Sequence, residues 1–247
     1  MAAKVRADVA LVDRGLVESR AKAQALIMAG VVFSGETKIL KAGQQIKDGQ
    51  ALEVRGKEHD WVSRGGLKLE KGLKEFEVDP TGLVAIDVGA STGGFTDVLL
   101  QGGAQKVYAV DVGHGQLAWK LRQDERVVVM EKTNARYLDA EAIPDPIDIV
   151  VCDASFISLK TVLPAAMALV KPGGRLIALI KPQFEVGREN VGKGGVVRDP
   201  ELHTAVCEDM QTWLNNEMDG WTACGLTESP IKGPEGNIEF LLYGEKA

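Results

Sequence analysis

The sequence predicts an α/β protein, with a mostly parallel sheet flanked by helices and a small α+β domain at its N-terminal end. Apolar strand-like runs alternate with helix-like segments along most of the chain, which is typical of βα units. These runs are continuously apolar, as expected for strands buried on both faces. The first part of the chain lacks this alternation and differs in charge, with a net +5 over residues 1–74 against −11 over residues 75–247.

Composition indicates a soluble globular protein of one or two domains. The chain has 247 residues, of which 45% are hydrophobic and 26% are charged, both ordinary values. Its longest apolar stretches, such as Val162–Val170, are much shorter than the ~20 residues that span a bilayer. We therefore expect no membrane partner, and no secretory signal. The three cysteines are widely spaced without a CxxC pair, which disfavours disulfides and a zinc site and indicates a cytoplasmic location.

The N-terminal segment has the pattern of two short helices followed by short strands. The helical period predicts a helix from Arg6 to Gly15. Ser19 is a suitable N-cap for a second helix through Ala29, which Gly30 ends. Apolar β-type pieces follow at 31–33, from 39 onward and at 51–54, with a turn at 47–49.

The rest of the chain gives the βα rhythm. We assign residues 1–60 to the first domain, 61–66 to a linker and 67–247 to the second domain, which begins with a helix at 67–76. The predicted strands of the second domain lie at 84–88, 106–110, 127–131, 147–152 and 175–180, with two antiparallel edge strands at 221–226 and 238–243. The other predicted helices lie at 94–101, 116–122, 159–170 and 200–216.

A glycine-rich turn follows the first strand of the second domain. It reads Asp87-Val-Gly-Ala-Ser-Thr-Gly-Gly-Phe-Thr96 and leads into a helix. Glycines let the backbone approach a ligand closely, and the first N–H groups of a helix can bind polar or anionic groups. The spacing is neither the G-x-G-x-x-G of dinucleotide-binding folds nor a P-loop. The turn therefore indicates another kind of ligand site, or a tightly packed connection.

Four charged residues, far apart in the sequence, complete the candidate site. Asp153 and Lys181 directly follow predicted strands, Glu239 lies in the last strand, and Lys68 lies in the helix before the sheet. Open α/β sheets bind ligands at the carboxyl ends of their strands, so these side chains can converge there. Taken singly, each also has a structural explanation as an exposed lysine, an N-cap or an edge-strand charge.

Residues 6–54 resemble an S4 domain, a compact RNA-binding module. The resemblance rests on the helix-helix-strand pattern of "RADVALVDRGLVESRAKAQALIMAGVVFSGETKILKAGQQIKDGQALEV". It implies RNA binding, which agrees with the positive charge of this part of the chain. The alternative is an unrelated helical cap with solvated lysines. The candidate RNA-binding residues are Arg6, Arg20, Lys22, Lys41 and, beyond the module, Arg64.

The glycine-rich turn is similar to the first motif of S-adenosylmethionine (SAM)-dependent methyltransferases, which have a Rossmann-like sheet. The resemblance implies SAM as cofactor, with Asp87 near its methionine end. Asp111, which ends the next strand, would accept hydrogen bonds from both ribose hydroxyls, and Asn134 would flank the adenine. The other residues implied in cofactor binding are Gly89, Ser91, Gly93, Gly94, Phe95 and Asp153.

Methyl transfer to a ribose hydroxyl would give the four charged residues a common chemistry. The 2′-hydroxyl is a weak nucleophile, so a base that takes its proton helps it attack a sulfonium methyl. A lysine can serve as such a base when desolvation or a nearby cation favours its neutral form. We predict that Lys181 is the base and Lys68 a second cation, with Asp153 and Glu239 orienting the amines and the hydroxyl.

The same four residues resemble the Lys-Asp-Lys-Glu tetrad of FtsJ-like RNA 2′-O-methyltransferases. Five strings narrow the resemblance to the TlyA/hemolysin A-type rRNA (cytidine-2′-O)-methyltransferases, over essentially the whole chain. They are "SRGGLKL", "DVGASTGGFTDVLLQGGA", "DASFISL", "KPQFE" and "GKGGVVRDP". The resemblance implies methylation of cytidine ribose in 16S or 23S ribosomal RNA, ribosomal subunits as partners, and no metal.

Three other functions fit parts of the sequence. A non-catalytic RNA-binding or ribosome-assembly factor would keep the fold without the transfer. A membrane-active haemolysin, a label attached to this family, has little support without a spanning segment or a basic amphipathic helix. A base methyltransferase is disfavoured, because Asp153-Ala-Ser-Phe156 stands where such enzymes carry (Asn/Asp)-Pro-Pro-aromatic.

Two features near the tetrad have more than one interpretation. The segment 187–199 holds four glycines and three basic residues. It is equally compatible with a mobile lid over RNA and with a disordered surface loop. Phe156 and Phe184 are placed to stack on an extruded base, although packing in the core is the simpler expectation.

Overall fold

The chain forms two compact units. The structure is a computed structural model that describes residues 4–28, 30–47, 49–55, 59–233 and 236–247. The units are Met1–Asp60 and Trp61–Ala247. Residues 61–66, predicted as a linker, belong to the second unit.

The first unit is a small α+β fold. Its elements are strand β1 (Lys4–Arg6), helices α1 (Ala7–Asp13) and α2 (Arg20–Met28), and strands β2 (Val32–Ser34), β3 (Thr37–Lys38), β4 (Gln45–Lys47) and β5 (Glu53–Val54). Strand β1 pairs with β4, and β2 lies between β3 and β5, all antiparallel. Its core packs apolar residues of both helices against the strands, including Leu11, Ala23, Ile27, Val32 and Ile46.

Details of this unit differ from the prediction. Arg6 does not begin a helix, because its backbone is extended (φ −60°, ψ 145°) and pairs within β1. Ile39 does not begin a strand, since it follows β3 and is fully buried in the core. Ser19 caps α2 as predicted, because its Oγ accepts a 3.3 Å hydrogen bond from the third N–H of the helix. Ala29 and Asp48, in the predicted helix end and turn, lie outside the described residues.

The second unit is a seven-stranded sheet with helices on both faces. Its strands are β6 (Val84–Val88), β7 (Lys106–Val110), β8 (Val127–Met130), β9 (Ile147–Cys152), β10 (Val170–Ile180), β11 (Trp221–Glu228) and β12 (Phe240–Lys246). Its helices are α3 (Gly66–Glu75), α4 (Gly94–Gln101), α5 (Trp119–Arg122), α6 (Leu159–Val162), α7 (Pro164–Ala168), α8 (Pro182–Glu185) and α9 (Pro200–Glu217). Short 3-10 turns lie at Ala135–Tyr137 and Arg188–Asn190.

The strand order is β11-β12-β10-β9-β6-β7-β8. Strands β6 to β10 are parallel, and β12 runs antiparallel to both β10 and β11. This confirms the predicted α/β class and the antiparallel edge. Successive strand residues face opposite layers, so Ala85 packs in the cluster of α3, α4 and α5, whereas Ile86 packs in that of α6, α7 and α9. Chain order reverses beside β6, which is where such sheets bind their ligands.

One helix of this unit was predicted wrongly. The segment 159–170 is not a single helix but α6, α7 and the first residue of β10. Pro164 explains the break, because it has no N–H with which to continue the helical hydrogen bonds. Helix α5 begins later than predicted because the backbone of Ala118 is extended. Within the described part of the chain, no helix has the length and apolarity needed to cross a bilayer.

Candidate active site

Two adjoining cavities open at the carboxyl ends of the parallel strands. The smaller has a volume of about 220 Å³ and is lined by the glycine-rich turn, the loop before α3 and the four charged residues. The larger has a volume of about 580 Å³ and extends over the ends of β7 and β9. They share Gly89, Ser91, Asp153 and Ser155. A ligand can therefore occupy one cavity and present a group to the other.

The four charged side chains meet in the smaller cavity. Lys181 Nζ lies 2.6 Å from Asp153 Oδ1, and Lys68 Nζ lies 3.2 Å from Asp153 Oδ2. Lys68 Nζ is also 2.8 Å from Glu239 Oε2. The charges therefore alternate along a chain of contacts, lysine to aspartate to lysine to glutamate. Both lysines and Glu239 are buried, whereas the Asp153 side chain keeps 20% of its exposure.

The fold explains this convergence. Asp153 follows β9 and Lys181 follows β10, and these strands are parallel neighbours, so their ends meet at one edge of the sheet. Glu239 immediately precedes β12, which is antiparallel to β10 and so starts at that edge. Lys68 reaches the edge from the first turn of α3. Residues separated by more than 80 positions thus come into contact through sheet topology.

Ser155 is a contact that sequence reasoning missed. Lys181 Nζ donates to Ser155 Oγ (2.8 Å) and to the backbone oxygen of Asp153 (3.1 Å), in addition to its ion pair. An ammonium has three protons, and these three acceptors match them. The signal in the sequence was the position of Ser155, two residues after the strand-end aspartate.

The glycine-rich turn is shaped by close backbone contact. Gly89 has φ +83°, and a Cβ there would lie 2.9 Å from the backbone Cα of Ala154, so no other residue fits. Gly93, with φ +97°, is the residue before α4 and does not line either cavity. The other predicted turn residues, Ser91, Gly94 and Phe95, line the smaller cavity.

Asp87 is a buried carboxylate with one free oxygen. Its Oδ2 accepts hydrogen bonds from the N–H (2.9 Å) and the hydroxyl (2.6 Å) of Thr96. Its Oδ1 has no hydrogen-bond partner among the described residues, although Asp87 lines the smaller cavity. Burial raises the pKa of Asp87 to about 7, against the lowering effect of the Thr96 hydrogen bonds. An orphaned buried acceptor of this kind fits a ligand that brings a donor, such as an amine.

The larger cavity contains the other predicted cofactor residues. Asp111 accepts hydrogen bonds from the backbone N–H of Ser91 and of Gly113, both at 2.7 Å, and so joins the glycine-rich turn to the loop after β7. Asn134 also lines this cavity, and its side chain accepts a 3.1 Å bond from the N–H of Arg136. Each Asp111 oxygen keeps a second lone pair, which suits a ligand with two neighbouring hydroxyls.

The segment before α3 packs tightly on the glycine-rich turn. The N–H of Val62 donates to Asp97 in α4 (2.8 Å), and a Cβ on Gly94 would lie 2.4 Å from Ser63 Oγ. Arg64 lines the smaller cavity, is exposed, and donates to the backbone oxygen of Lys232 (3.1 Å). This packing brings an exposed guanidinium to the cavity rim.

The predicted basic residues of the first unit are all exposed, and two of them share a partner. Arg6 Nε and Arg20 Nη2 lie 2.9 Å and 3.0 Å from the carboxylate oxygens of Asp8, which is fully buried. The hydrogen bond from Arg6 holds the pKa of Asp8 well below its usual range. Asp8 therefore fixes both guanidinium groups side by side. Lys22 and Lys41 are exposed on the same unit.

Phe156 does not pack in the core, which corrects the simpler expectation for it. Its side chain is 89% exposed and its φ is +64°. A bulky residue rarely adopts this conformation. The ring lies against the half-buried Phe184, with centroids 5.1 Å apart, and lines the mouth of the larger cavity.

Part of the glycine-rich segment 187–199 is held in place. The fully buried Asn237 accepts a 3.0 Å bond from Val197 N–H and donates a 2.9 Å bond to the backbone oxygen of Gly195. The ring of His203 bonds the backbone oxygen of Val197 (2.9 Å). These contacts disagree with a disordered loop over 195–197. Asn237 is also two residues before Glu239, so it links this segment to the tetrad.

Comparisons with known proteins show the family to which the chain belongs. The model of the FtsJ-like methyltransferase family matches residues 61–246. The chain is 54% identical over 241 residues to YqxC of Bacillus subtilis (strain 168), which is provisionally named an rRNA methyltransferase. The alignment covers 97% of this chain and 85% of YqxC. It is 48% identical over 248 residues to the 16S/23S rRNA (cytidine-2′-O)-methyltransferase TlyA of Mycobacterium tuberculosis, covering 98% of this chain and 90% of TlyA.

A solved structure is also similar to this chain. A protein of Streptococcus thermophilus, provisionally described as a hemolysin, aligns with a TM-score of 0.78 and 46% identity, covering 100% of this chain and 90% of that one. The family model and the full-length relatives together confirm the predicted resemblance. This chain is a methyltransferase that belongs to the FtsJ-like family and, within it, to the TlyA-type group.

Proposed function

We propose that this protein transfers a methyl group from SAM to the 2′-hydroxyl of cytidine in ribosomal RNA. The observation that carries the proposal is the alternating chain of two lysines and two carboxylates in the smaller cavity, of which Asp153 also lines the larger one. The substrate named for the TlyA relative, 16S/23S rRNA cytidine, supports the choice of RNA. Activity on ribosomal RNA accords with the cytoplasmic location expected from the sequence.

The residues of both cavities fit SAM. The free Oδ1 of Asp87 suits the ammonium of the methionine part, and Asp111 suits the ribose hydroxyls. Gly89 lines both cavities, and its lack of a side chain lets the backbone at Ala154 pack against the turn beside the place that the ligand would occupy. Asn134 would flank the adenine in the larger cavity. Once bound, SAM supplies an electrophilic methyl group on a cationic sulfur.

Lys181 would act as the base. In the transfer, the bond from the ribose oxygen to the methyl carbon forms while the bond from sulfur to that carbon breaks, and the hydroxyl proton passes to Lys181. This requires the neutral amine, which has one lone pair and two protons. Its two protons can keep two of the three present contacts, and the lone pair must replace the third contact and face the ribose hydroxyl. Asp153 holds the amine in place through its side chain and its backbone oxygen.

Lys68 and Glu239 would complete the environment of the base. Lys68 balances the charge of Asp153, and Glu239 in turn balances Lys68. Because Glu239 is 1% exposed, its charge acts through a poorly screened region. Lys68 and Glu239 thus hold Asp153 in place, and the position of Asp153 fixes that of Lys181.

We propose that the first unit is an S4-like RNA-binding domain. Its contacts would come from the paired Arg6 and Arg20, from Lys22 and from Lys41, with Arg64 acting at the cavity rim. These cationic groups suit the phosphate oxygens of RNA. Contacts to phosphate hold the RNA without reading its sequence. In the second unit the exposed ring of Phe156 would stack on the base of the extruded nucleotide.

The experiment is methyl transfer by a Lys181→Met variant. With ribosomal RNA and labelled SAM, we expect transfer to fall by about 10²–10⁴-fold, the usual contribution of a general base, while SAM affinity stays within a few-fold of wild type. Lys160→Met is the matched control, since Lys160 also pairs with a carboxylate (Asp209, 2.8 Å) but lies outside both cavities.

Ribose-methylation mapping of the RNA product identifies the modified atom. Near-normal turnover by Lys181→Met would remove Lys181 as the base. SAM binding by the wild-type protein without transfer to any ribosomal RNA would instead favour a non-catalytic RNA-binding factor. A methyl group on a base rather than on a ribose oxygen would contradict the reaction itself.

A further inference from the structure

The loop between β9 and α6 carries three residues of the site without regular structure of its own. Asp153, Ser155 and Phe156 all lie in residues 153–158, which are neither helix nor strand. Phe156 is in the left-handed region (φ +64°), which is unfavourable for a bulky non-glycine residue. Its ring is almost fully exposed, so burial of the ring cannot hold the loop in this shape. Contacts from elsewhere must do so.

Those contacts come from residues 181–185, at the end of β10. Lys181 bonds the first half of the loop, through Asp153 and Ser155. The ring of Phe184 lies against that of Phe156. The last contact belongs to Glu185, a residue of the "KPQFE" string to which the proposed reaction assigns no role.

Glu185 holds the far end of the loop with both carboxylate oxygens. Oε2 accepts a 2.6 Å hydrogen bond from Ser158 Oγ, and Oε1 accepts a 2.9 Å bond from the N–H of Leu159. Burial raises the pKa of Glu185, which means that the carboxylate has given up water for these two donors. Helix α6 has only four residues and already has Ser158 as its N-cap. A second acceptor side chain at this point, the carboxylate of Glu185, is therefore better explained by the loop than by the helix.

The geometry points to Glu185 as a positioning residue for Phe156. By fixing Ser158 and Leu159, it sets the end of the loop from which the Phe156 ring projects over the larger cavity. This inference rests on the proposed function, since it assigns Glu185 to the placement of the target nucleotide. Glu185 lines neither cavity, and neither do its partners Ser158 and Leu159, so we expect its loss to act on RNA turnover rather than on SAM binding.

A double-mutant cycle tests the inference. In Glu185→Gln the amide nitrogen cannot accept a hydrogen bond, so one of the two bonds is lost with little change in volume. We expect kcat/KM for RNA to fall about tenfold, the equivalent of about 1.4 kcal/mol, with the Kd for SAM within twofold of wild type. In a Phe156→Ala background, the same substitution is expected to have no further effect, because the ring that it positions is gone.

Two further variants complete the design. Glu189→Gln is the matched control, since Glu189 is an exposed glutamate four residues further along the chain, and it should behave as wild type. Ser158→Ala removes only the hydroxyl partner and is expected to lower kcat/KM several-fold, again without effect in Phe156→Ala. It replaces Glu185→Gln if that protein does not fold.

The outcomes separate the two hypotheses. Equal losses with and without Phe156, a normal kcat/KM, or a weakened SAM affinity would each overturn the positioning role while leaving the proposed reaction intact. A wild-type protein that methylates no ribosomal RNA would overturn the proposed function, and this inference with it.

Discussion

The two ends of the charge chain should respond differently to removal of one partner. Lys68→Met leaves Glu239 buried at 1% exposure without a cation, since Lys68 is the one cationic partner of Glu239 in the described structure. Glu239→Gln leaves Lys68 still paired with Asp153 at 3.2 Å. Loss of the lysine should therefore destabilise the fold more than loss of the glutamate.

The distances give the magnitude. At 2.8 Å and an effective dielectric constant of about 20, the Lys68–Glu239 attraction is about 6 kcal/mol before desolvation. Removing one partner of a buried pair costs about 3–5 kcal/mol, and we expect this for Lys68→Met. For Glu239→Gln we expect about 1.5–3 kcal/mol, the range of a hydrogen bond to a charged group. In the double variant no buried charge is stranded, so it should cost clearly less than the sum of the two.

Thermal or denaturant unfolding measures these free energies, and methyl transfer is measured in parallel. For a unit of this size each kcal/mol lowers Tm by about 2–4 °C, so Lys68→Met should melt roughly 6–20 °C below wild type. All three variants should lose transfer, although the double variant regains stability. Lys106→Met is the control, because Lys106 forms a half-exposed pair with Asp145 (2.7 Å). If Lys68→Met is no less stable than Lys106→Met, the argument for the buried charge chain is refuted.

Two more results are expected. Burial raises the pKa of Asp87 to about 7, so the folded protein without SAM holds the proton of the Asp87 carboxyl more tightly than the unfolded chain does. The contribution of this protonation to the free energy of unfolding therefore falls as pH rises from about 4 to 7. SAM affinity, measured by calorimetry, should rise over the same pH range if Asp87 must be ionised to hold an ammonium. The Asp87→Asn variant should lose this dependence on pH, and a variant with the same pH profile as wild type would contradict the assignment. In the first unit, Arg20→Ala should weaken RNA binding and lower the slope of log K against log salt by about one. Arg126→Ala, which breaks a pair with Asp124 in the second unit, is its control, and an equal effect of both would dismiss Arg20 as a phosphate contact.

The strands of the second unit were predictable because each is a continuous apolar run bounded by turn residues. Strands β6, β7 and β9 have the predicted limits. The error over 159–170 concerns the continuity of the helix rather than its type, because Pro164 divides a helical segment whose apolar pattern runs on across it. Strand β1 was missed because it is determined by pairing with β4, 39–43 residues further along the chain, rather than by a local pattern.

The candidate site was predictable to the level of residue type and strand end. Asp153 and Lys181 follow strands that sequence pattern identifies, and parallel strands end at one edge. That Asp153 lies between the two lysines was not predictable, since side-chain geometry decides which of the four charged groups touch one another. The same holds for Ser155, Asn237 and Glu185, whose polar side chains look like ordinary loop residues until their partners are known.

The sequence by itself determined the fold class, the glycine-rich turn and the four charged residues, because apolar periodicity and strand-end chemistry are local properties of a chain. Only the tertiary structure decided which charges touch, which carboxylate oxygen of Asp87 stays free, and that Phe156 faces solvent. These are set by contacts between segments far apart in the chain, where a shift of a few tenths of an ångström separates a hydrogen bond from none.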